Sequence, residues 1–148
     1  MKDWRLVGVI VFALFALMEL GDFAGLLSGF SEPGRSQYAA LIGISPEAEG
    51  VRLVILSALS LGIVVSASAV VIGLLHRTNW AARASLIIAI LFWLYGGYQI
   101  ISTITQLEKN QMGVAIAGGV YICIGVLAAW LGRKAVFGKR PPTPKGES

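Results

Sequence analysis

Histidine and cysteine each occur once in this 148-residue chain, and charged residues make up only 14% of it. A lone cysteine, Cys123, forbids an intrachain disulfide, a dithiol couple and a cysteine-based metal cluster. A lone histidine, His76, forbids a haem held between two imidazoles. It sits beside Arg77 in a polar turn, on the opposite side of the expected fold from the acids, so a Ser/His/Asp triad is excluded too. Glycine-rich phosphate loops and zinc-ligand spacings are also missing, which removes nucleotide-driven, disulfide-relay and metalloprotease readings of the chain. The sequence therefore implies no cofactor, no metal and no catalytic constellation, and it reads as a non-enzyme. The basic residues have no stacking platform or folded polar domain around them, so nucleic acid is not an expected partner.

What the chain has is apolar length. Hydrophobic residues are 56% of the total and the mean hydropathy is +0.76, whereas a soluble domain carries about 25% charged residues. Four apolar runs, 6–27, 51–75, 84–104 and 113–131, each suffice for the roughly 20 residues that cross a ~30 Å hydrocarbon core as a helix. They are continuous rather than alternating, which rules out barrel strands. The basic start resembles the opening of a secretory signal, yet no small-x-small cleavage site follows Leu20, and Glu19 and Asp22 are poor neighbours for one; the first run reads as a retained span. The expected fold is an all-α integral membrane protein, an up-and-down four-transmembrane-helix bundle over residues 1–137, with the lipid bilayer as its first partner.

Charge sets the expected orientation. Nine basic residues, among them Arg5, Arg77, Arg83, Arg133 and Lys134, fall on the side of both termini and the 76–79 turn, against Arg35, Arg52 and Lys109 on the other. Positive residues are retained inside, so both termini are expected to be cytoplasmic. Trp4, Trp80 and Trp130 map to the same end of their spans, where indole rings favour the headgroup boundary. A multi-pass protein of a prokaryotic cytoplasmic membrane is the expectation. Residues 138–148 hold three prolines, two glycines and no apolar residue, and read as a disordered basic tail near anionic lipid.

The connections carry local signals. The outer loop, 28–50, has turn-forming residues around an apolar patch at 38–42, which predicts a short interfacial helix. Ser45, Pro46, Glu47 and Glu49 then spell a helix start: a capping serine, proline in the first turn and acids at the positive dipole end. The connections at 76–79 and 108–111 are so short that consecutive spans must lie side by side, with Thr78 or Asn79 a candidate cap for the third. Ala58-xxx-Gly62-xxx-Ser66, Gly113-xxx-Ala117 and the pairs Gly96-Gly97 and Gly118-Gly119 offer smooth surfaces for close approach in lipid, expected to serve internal packing. Cys123 is expected to be a packing residue, Phe92 and Trp93 packing or lipid-facing.

One feature resists a purely structural reading. Glu19 and Asp22 lie three residues apart within the first apolar run. At ~1.5 Å per residue Glu19 is about 20 Å above the inner boundary, and Asp22 about 4 to 5 Å higher. Carboxyl groups at such depth cost several kcal/mol and ordinarily face a bundle interior, marking an ion or proton path; alternatively the span ends near Leu20 and both acids sit at the interface. Polar residues of the other spans reach the same level: Tyr95, Gln99, Ser102 and Gln106 stripe the third, Ser57 and Ser60 lie on the second with Arg52 above them, and Tyr121 is on the fourth. The candidate ligand- or ion-binding set is Glu19, Asp22, Arg52, Tyr95, Gln99 and Tyr121, with Arg52 at the lip of an outward cavity, pairing with a carboxylate. For the tyrosine and the two serines on these neighbouring spans, ordinary interhelical hydrogen bonding is the competing explanation. The functional expectation is a non-enzymatic accessory or interaction subunit, or a binder of an apolar ligand such as a lipid or quinone; the alternative is a small proton- or cation-coupled transporter or channel using Glu19 and Asp22. A homo-oligomer or a larger membrane complex is compatible with both.

Overall fold

The structure, a computed structural model, describes residues 3–42, 45–106 and 112–137. Among these residues five helices form, α1 (Trp4–Ser28), α2 (Glu32–Ile42), α3 (Pro46–Leu75), α4 (Trp80–Gln106) and α5 (Met112–Phe137). Four of them, α1, α3, α4 and α5, are long and apolar enough to cross a membrane. The residues expected to form the 108–111 connection and the 138–148 tail lie outside the described residues.

The helix ends follow from local chemistry. At the start of α3 the Ser45 side chain accepts from the Ala48 amide at 3.2 Å, proline occupies the first turn and Glu47 and Glu49 follow, as the sequence predicts. The end of α3 is closed by Arg77, which adopts φ 57°, so that the Thr78 amide reaches the Gly73 carbonyl at 2.9 Å and the Arg77 amide reaches Leu74 at 3.3 Å. Of the two candidate caps for the next helix, Asn79 directly precedes α4 and its carbonyl accepts from the Ala82 amide at 3.3 Å, whereas the Thr78 hydroxyl turns back and donates to Gly73 at 2.9 Å, finishing α3. The guanidinium of Arg5, in the first turn of α1, donates to the last carbonyls of α3, Leu74 at 2.5 Å and Leu75 at 3.0 Å. A positive donor at a helix C-terminus satisfies both orphan carbonyls and the dipole. Arg5→Ala is expected to lower the unfolding free energy in bicelles by about 1–3 kcal/mol, the range for hydrogen bonds to a charged group, and Arg5→Lys by less.

The four long helices close into a ring in which α1 packs on α3, α3 on α4, α4 on α5 and α5 on α1, while α2 leans on α3 and buries Ala39. In lipid no hydrophobic force separates helix from solvent, so close contact must come from shape and dispersion. Two devices supply it. The first is a seam of glycines at a seven-residue interval on α5, Gly118, Gly125 and Gly132, which face Gly96, Ala89 with Trp93, and Ser85 of α4. A Cβ on Gly118 would stand 2.7 Å from the Gly96 carbonyl oxygen, and one on Gly125 would stand 3.0 Å from that of Ala89. The second is an aromatic column, Phe12 to Phe15 at 5.8 Å and Phe15 to Phe92 at 5.5 Å edge to face, and Phe92 to Tyr121 at 5.8 Å with rings tilted by 34°, set among Ile63, Val70 and Ile88. Trp4 meets Trp130 at 5.5 Å beside this end of the bundle.

Several expected packing roles change places. Gly97, Gly113 and Gly119 face open space, and Gly62 makes only ordinary contact with Leu91, at 3.4 Å. Cys123, expected inside, is exposed on the outer surface of α5. Of the two midspan aromatics Phe92 is buried and Trp93 is half-exposed, with its indole N–H donating to the Ile122 carbonyl at 3.2 Å.

Candidate functional site

Three residues on a helix advance by about 300°, so Glu19 and Asp22 lie about 60° apart around α1. The difference is enough to separate their environments. Glu19 is directed into the seam between α1 and α3 and is 0% exposed; Asp22, nearer the end of α1, is exposed at the edge facing α5. The helix does not end near Leu20 but continues to Ser28, so both acids lie within it.

Ser60, fully buried on α3, holds Glu19. Its hydroxyl oxygen lies 3.0 Å from Oε2 of the carboxyl and 3.0 Å from the main-chain carbonyl of the same residue. The other carboxyl oxygen, Oε1, is buried and meets no hydrogen-bond partner among the described residues, and the same is true of the Ser57 hydroxyl one turn away on α3. Buried polar atoms are rarely left so, and each one calls for an account.

Asp22 accepts from the Tyr121 hydroxyl of α5, Oδ2 to Oη 2.5 Å. The Tyr121 ring rests on Tyr95 of α4 with centroids 4.5 Å apart, and on Phe92 below. Tyr95 is buried and lies alongside Gln99, which is half-buried; Tyr121 also borders Glu19. Four of the proposed residues, Glu19, Asp22, Tyr95 and Tyr121, therefore converge on one polar cluster joined by α1, α4 and α5, with Gln99 at its margin. The side chain of Gln106 lies outside the described residues.

Arg52 does not belong to the cluster. Its Nη1 lies 3.0 and 3.1 Å from the two carboxyl oxygens of Glu49, one turn earlier on its own helix, and Glu49 is 0% exposed. A fully desolvated carboxylate needs this cation more than Asp22 at the bundle edge does, and the i, i+3 spacing on one helix holds the pair at no conformational expense beyond the two side chains. The expected pairing of Arg52 with Glu19 or Asp22 is corrected accordingly. Among the described residues no group of three His, Cys, Asp or Glu side chains could hold a metal ion.

Ser60 makes the interhelical hydrogen bond expected of it, and its partner is Glu19. The available signal was depth: Ser60 is the small polar residue of the second span at the level of Glu19. Comparison of the chain with protein families, with curated proteins and with solved structures finds no match.

Proposed function

We propose that this multi-pass membrane protein is a small proton-coupled transporter of the cytoplasmic membrane, in which Glu19 is the proton-carrying group and Asp22 with Tyr121 is its connection to the outer face. The observation that carries the reading is a proton count at Ser60. A serine hydroxyl has one proton, yet two acceptor oxygens of Glu19 stand at 3.0 Å from it. A proton on Oε2 makes both contacts hydrogen bonds, with the carboxyl donating to Ser60 and Ser60 donating to the Glu19 carbonyl. Oε1 then remains as an acceptor buried in the polar cluster. The titratable groups facing Glu19 are Asp22 on its own helix, Tyr95 on α4 and Tyr121 on α5; α3 contributes Ser57 and Ser60, and its charged pair Glu49 and Arg52 is matched internally. No cation neutralises Glu19 among these neighbours, so a proton is the charge that suits it.

Below the cluster the bundle is filled by Phe12, Phe15, Ile63, Ile88 and Phe92. This plug disfavours an open pore and favours a coupled movement, in which losing the proton loosens α1 from α3. It also leaves little room for a quinone or lipid inside the bundle. An up-and-down arrangement is supported by the contact pairs: Gly8 with Leu74, Glu19 with Ser60 and Gly29 with Leu53 between α1 and α3, and Gly96 with Gly118 and Ser85 with Gly132 between α4 and α5. Placing both termini inside rests on the nine-to-three distribution of basic residues. The second reading, an accessory subunit of a homo-oligomer or larger complex, is favoured by α1, the least covered of the four spans, where Gly21 and Gly25 stand open.

Proteoliposomes loaded with a pH-sensitive dye test the first reading. Under an imposed pH difference the wild type is expected to move protons faster than empty vesicles, Asp22→Asn to do so more slowly, and Glu19→Gln to fall to the empty-vesicle rate with its helicity intact. Undiminished flux through Glu19→Gln, or no flux through the wild type under any cation gradient, overturns it.

A further inference from the structure

At the end of the bundle opposite the carboxyl cluster, near the Ser85–Gly132 contact, residues of α4 and α5 line a cleft of about 720 Å³. Arg83 of α4 and Arg133 of α5 line it from two sides, Asn79 and Trp80 close its rim, and Leu86 and Phe137 form apolar walls. Both arginines are exposed, and among the described residues neither forms an ion pair with a carboxylate. Trp80, Leu86 and Phe137 are 44, 53 and 64% exposed, so the walls continue onto the lipid-facing surface. Two guanidiniums beside an amide and an indole, next to an apolar surface, form a complement to one kind of molecule.

We infer that this cleft binds an anionic glycerophospholipid of the inner leaflet. The phosphodiester lies between Arg83 and Arg133, each able to offer paired N–H donors to phosphate oxygens, and the acyl chains run over Leu86 and Phe137 into the bilayer. Charge complementarity selects this occupant: the two cations belong to adjacent helices, line one hollow and have no carboxylate counter-ion among the described residues. A neutral zwitterionic lipid brings its own cation and gains less from the site. The bound lipid would tie α4 to α5 at this end of their contact.

The test is native mass spectrometry of the full-length chain released from nanodiscs of phosphatidylglycerol and phosphatidylcholine in equal amounts. Two basic residues at about 1 kcal/mol each correspond to roughly thirtyfold enrichment of the anionic lipid in the first bound position. Arg83→Gln with Arg133→Gln is expected to remove most of that enrichment. Arg77→Gln with Lys134→Gln, which subtracts the same charge outside the cleft, is expected to keep it. Leu86→Trp, which fills the cleft with both arginines in place, is expected to lose it, and this variant decides the matter should the double arginine variant fail to fold. Equal binding of the two lipids overturns the inference, and so does an enrichment that falls equally in the control pair, since that would be diffuse attraction. Displacement of the lipid by millimolar inorganic phosphate alone overturns the lipid assignment in favour of a soluble phosphate.

Discussion

Replacing Gly118 with leucine is expected to separate α4 from α5 and to cost about 3 kcal/mol or more, whereas the same replacement at Gly119, one residue along, is expected to be neutral or slightly stabilising. The contrast follows from where a side chain would go. At Gly118 even a Cβ would lie 2.7 Å from the Gly96 carbonyl oxygen and 2.8 Å from the Ile100 side chain; at Gly119 it meets nothing within 4 Å. Backbone cannot yield as a flexible side chain can, so the helices must part, and parting forfeits dispersion along the whole seam through Gly125 and Gly132. In lipid that contact is the main source of cohesion, since hydrocarbon solvates the exposed surfaces almost as well as protein does. Replacing glycine in an open helical position removes its entropic penalty, about 0.5–1 kcal/mol in favour of the variant. Unfolding free energies of the two variants in bicelles check the claim; losses of equal size would mean that α4 and α5 do not meet along this line.

The second large effect concerns the buried carboxyl. Ser60→Ala is expected to destabilise by about 1–3 kcal/mol, because it strips Glu19 of its side-chain partner while leaving the acid buried. Glu19→Met combined with Ser60→Ala is expected to be at least as stable as the wild type, since both polar groups are then replaced by apolar ones of similar size and the unmatched Oε1 disappears with them. The coupling between the two changes is thus expected to be large and of opposite sign to additivity. Should the double variant be less stable than either single one, Glu19 would be an ordinary structural contact with no cost attached. A gain in stability accompanied by loss of proton flux is the outcome expected of a site retained for work rather than for cohesion.

The spans were legible because apolar length is a one-dimensional property, and Ser45 with Pro46 and the two acids after it announced the start of α3 through purely local hydrogen bonds. Facing was not legible. A helix that is apolar all round carries little directional signal, which is why Cys123 lies on the outside of α5 and Gly113 in open space against expectation. The fate of Glu19 and Asp22 depended on the angle at which α1 meets α3 and α5, a quantity set by three other helices. Arg52 takes the acid one turn away at Glu49, a contact within one helix, rather than an acid of α1. Of the two glycine pairs, Gly96 and Gly118 meet each other as close-approach points while Gly97 and Gly119 face open space; the seven-residue recurrence of Gly118, Gly125 and Gly132 continues the same line along α5.

The pairing of Glu19 with Ser60 also bears on biogenesis. The two residues are 41 positions apart and Asp22 is 99 positions from Tyr121. At roughly 5–20 residues per second of synthesis, the ribosome needs about 2–8 s after Glu19 to produce its partner and a further interval to produce that of Asp22. During that time the first segment has entered the insertion machinery with neither acid accommodated, while α4 and α5, adjacent in sequence and zipped by glycine, can join as soon as both emerge. Glu19 can therefore be accommodated once α3 is made, but Asp22 must wait for α5, so the seating of α1 is completed only by a helix synthesised well after it.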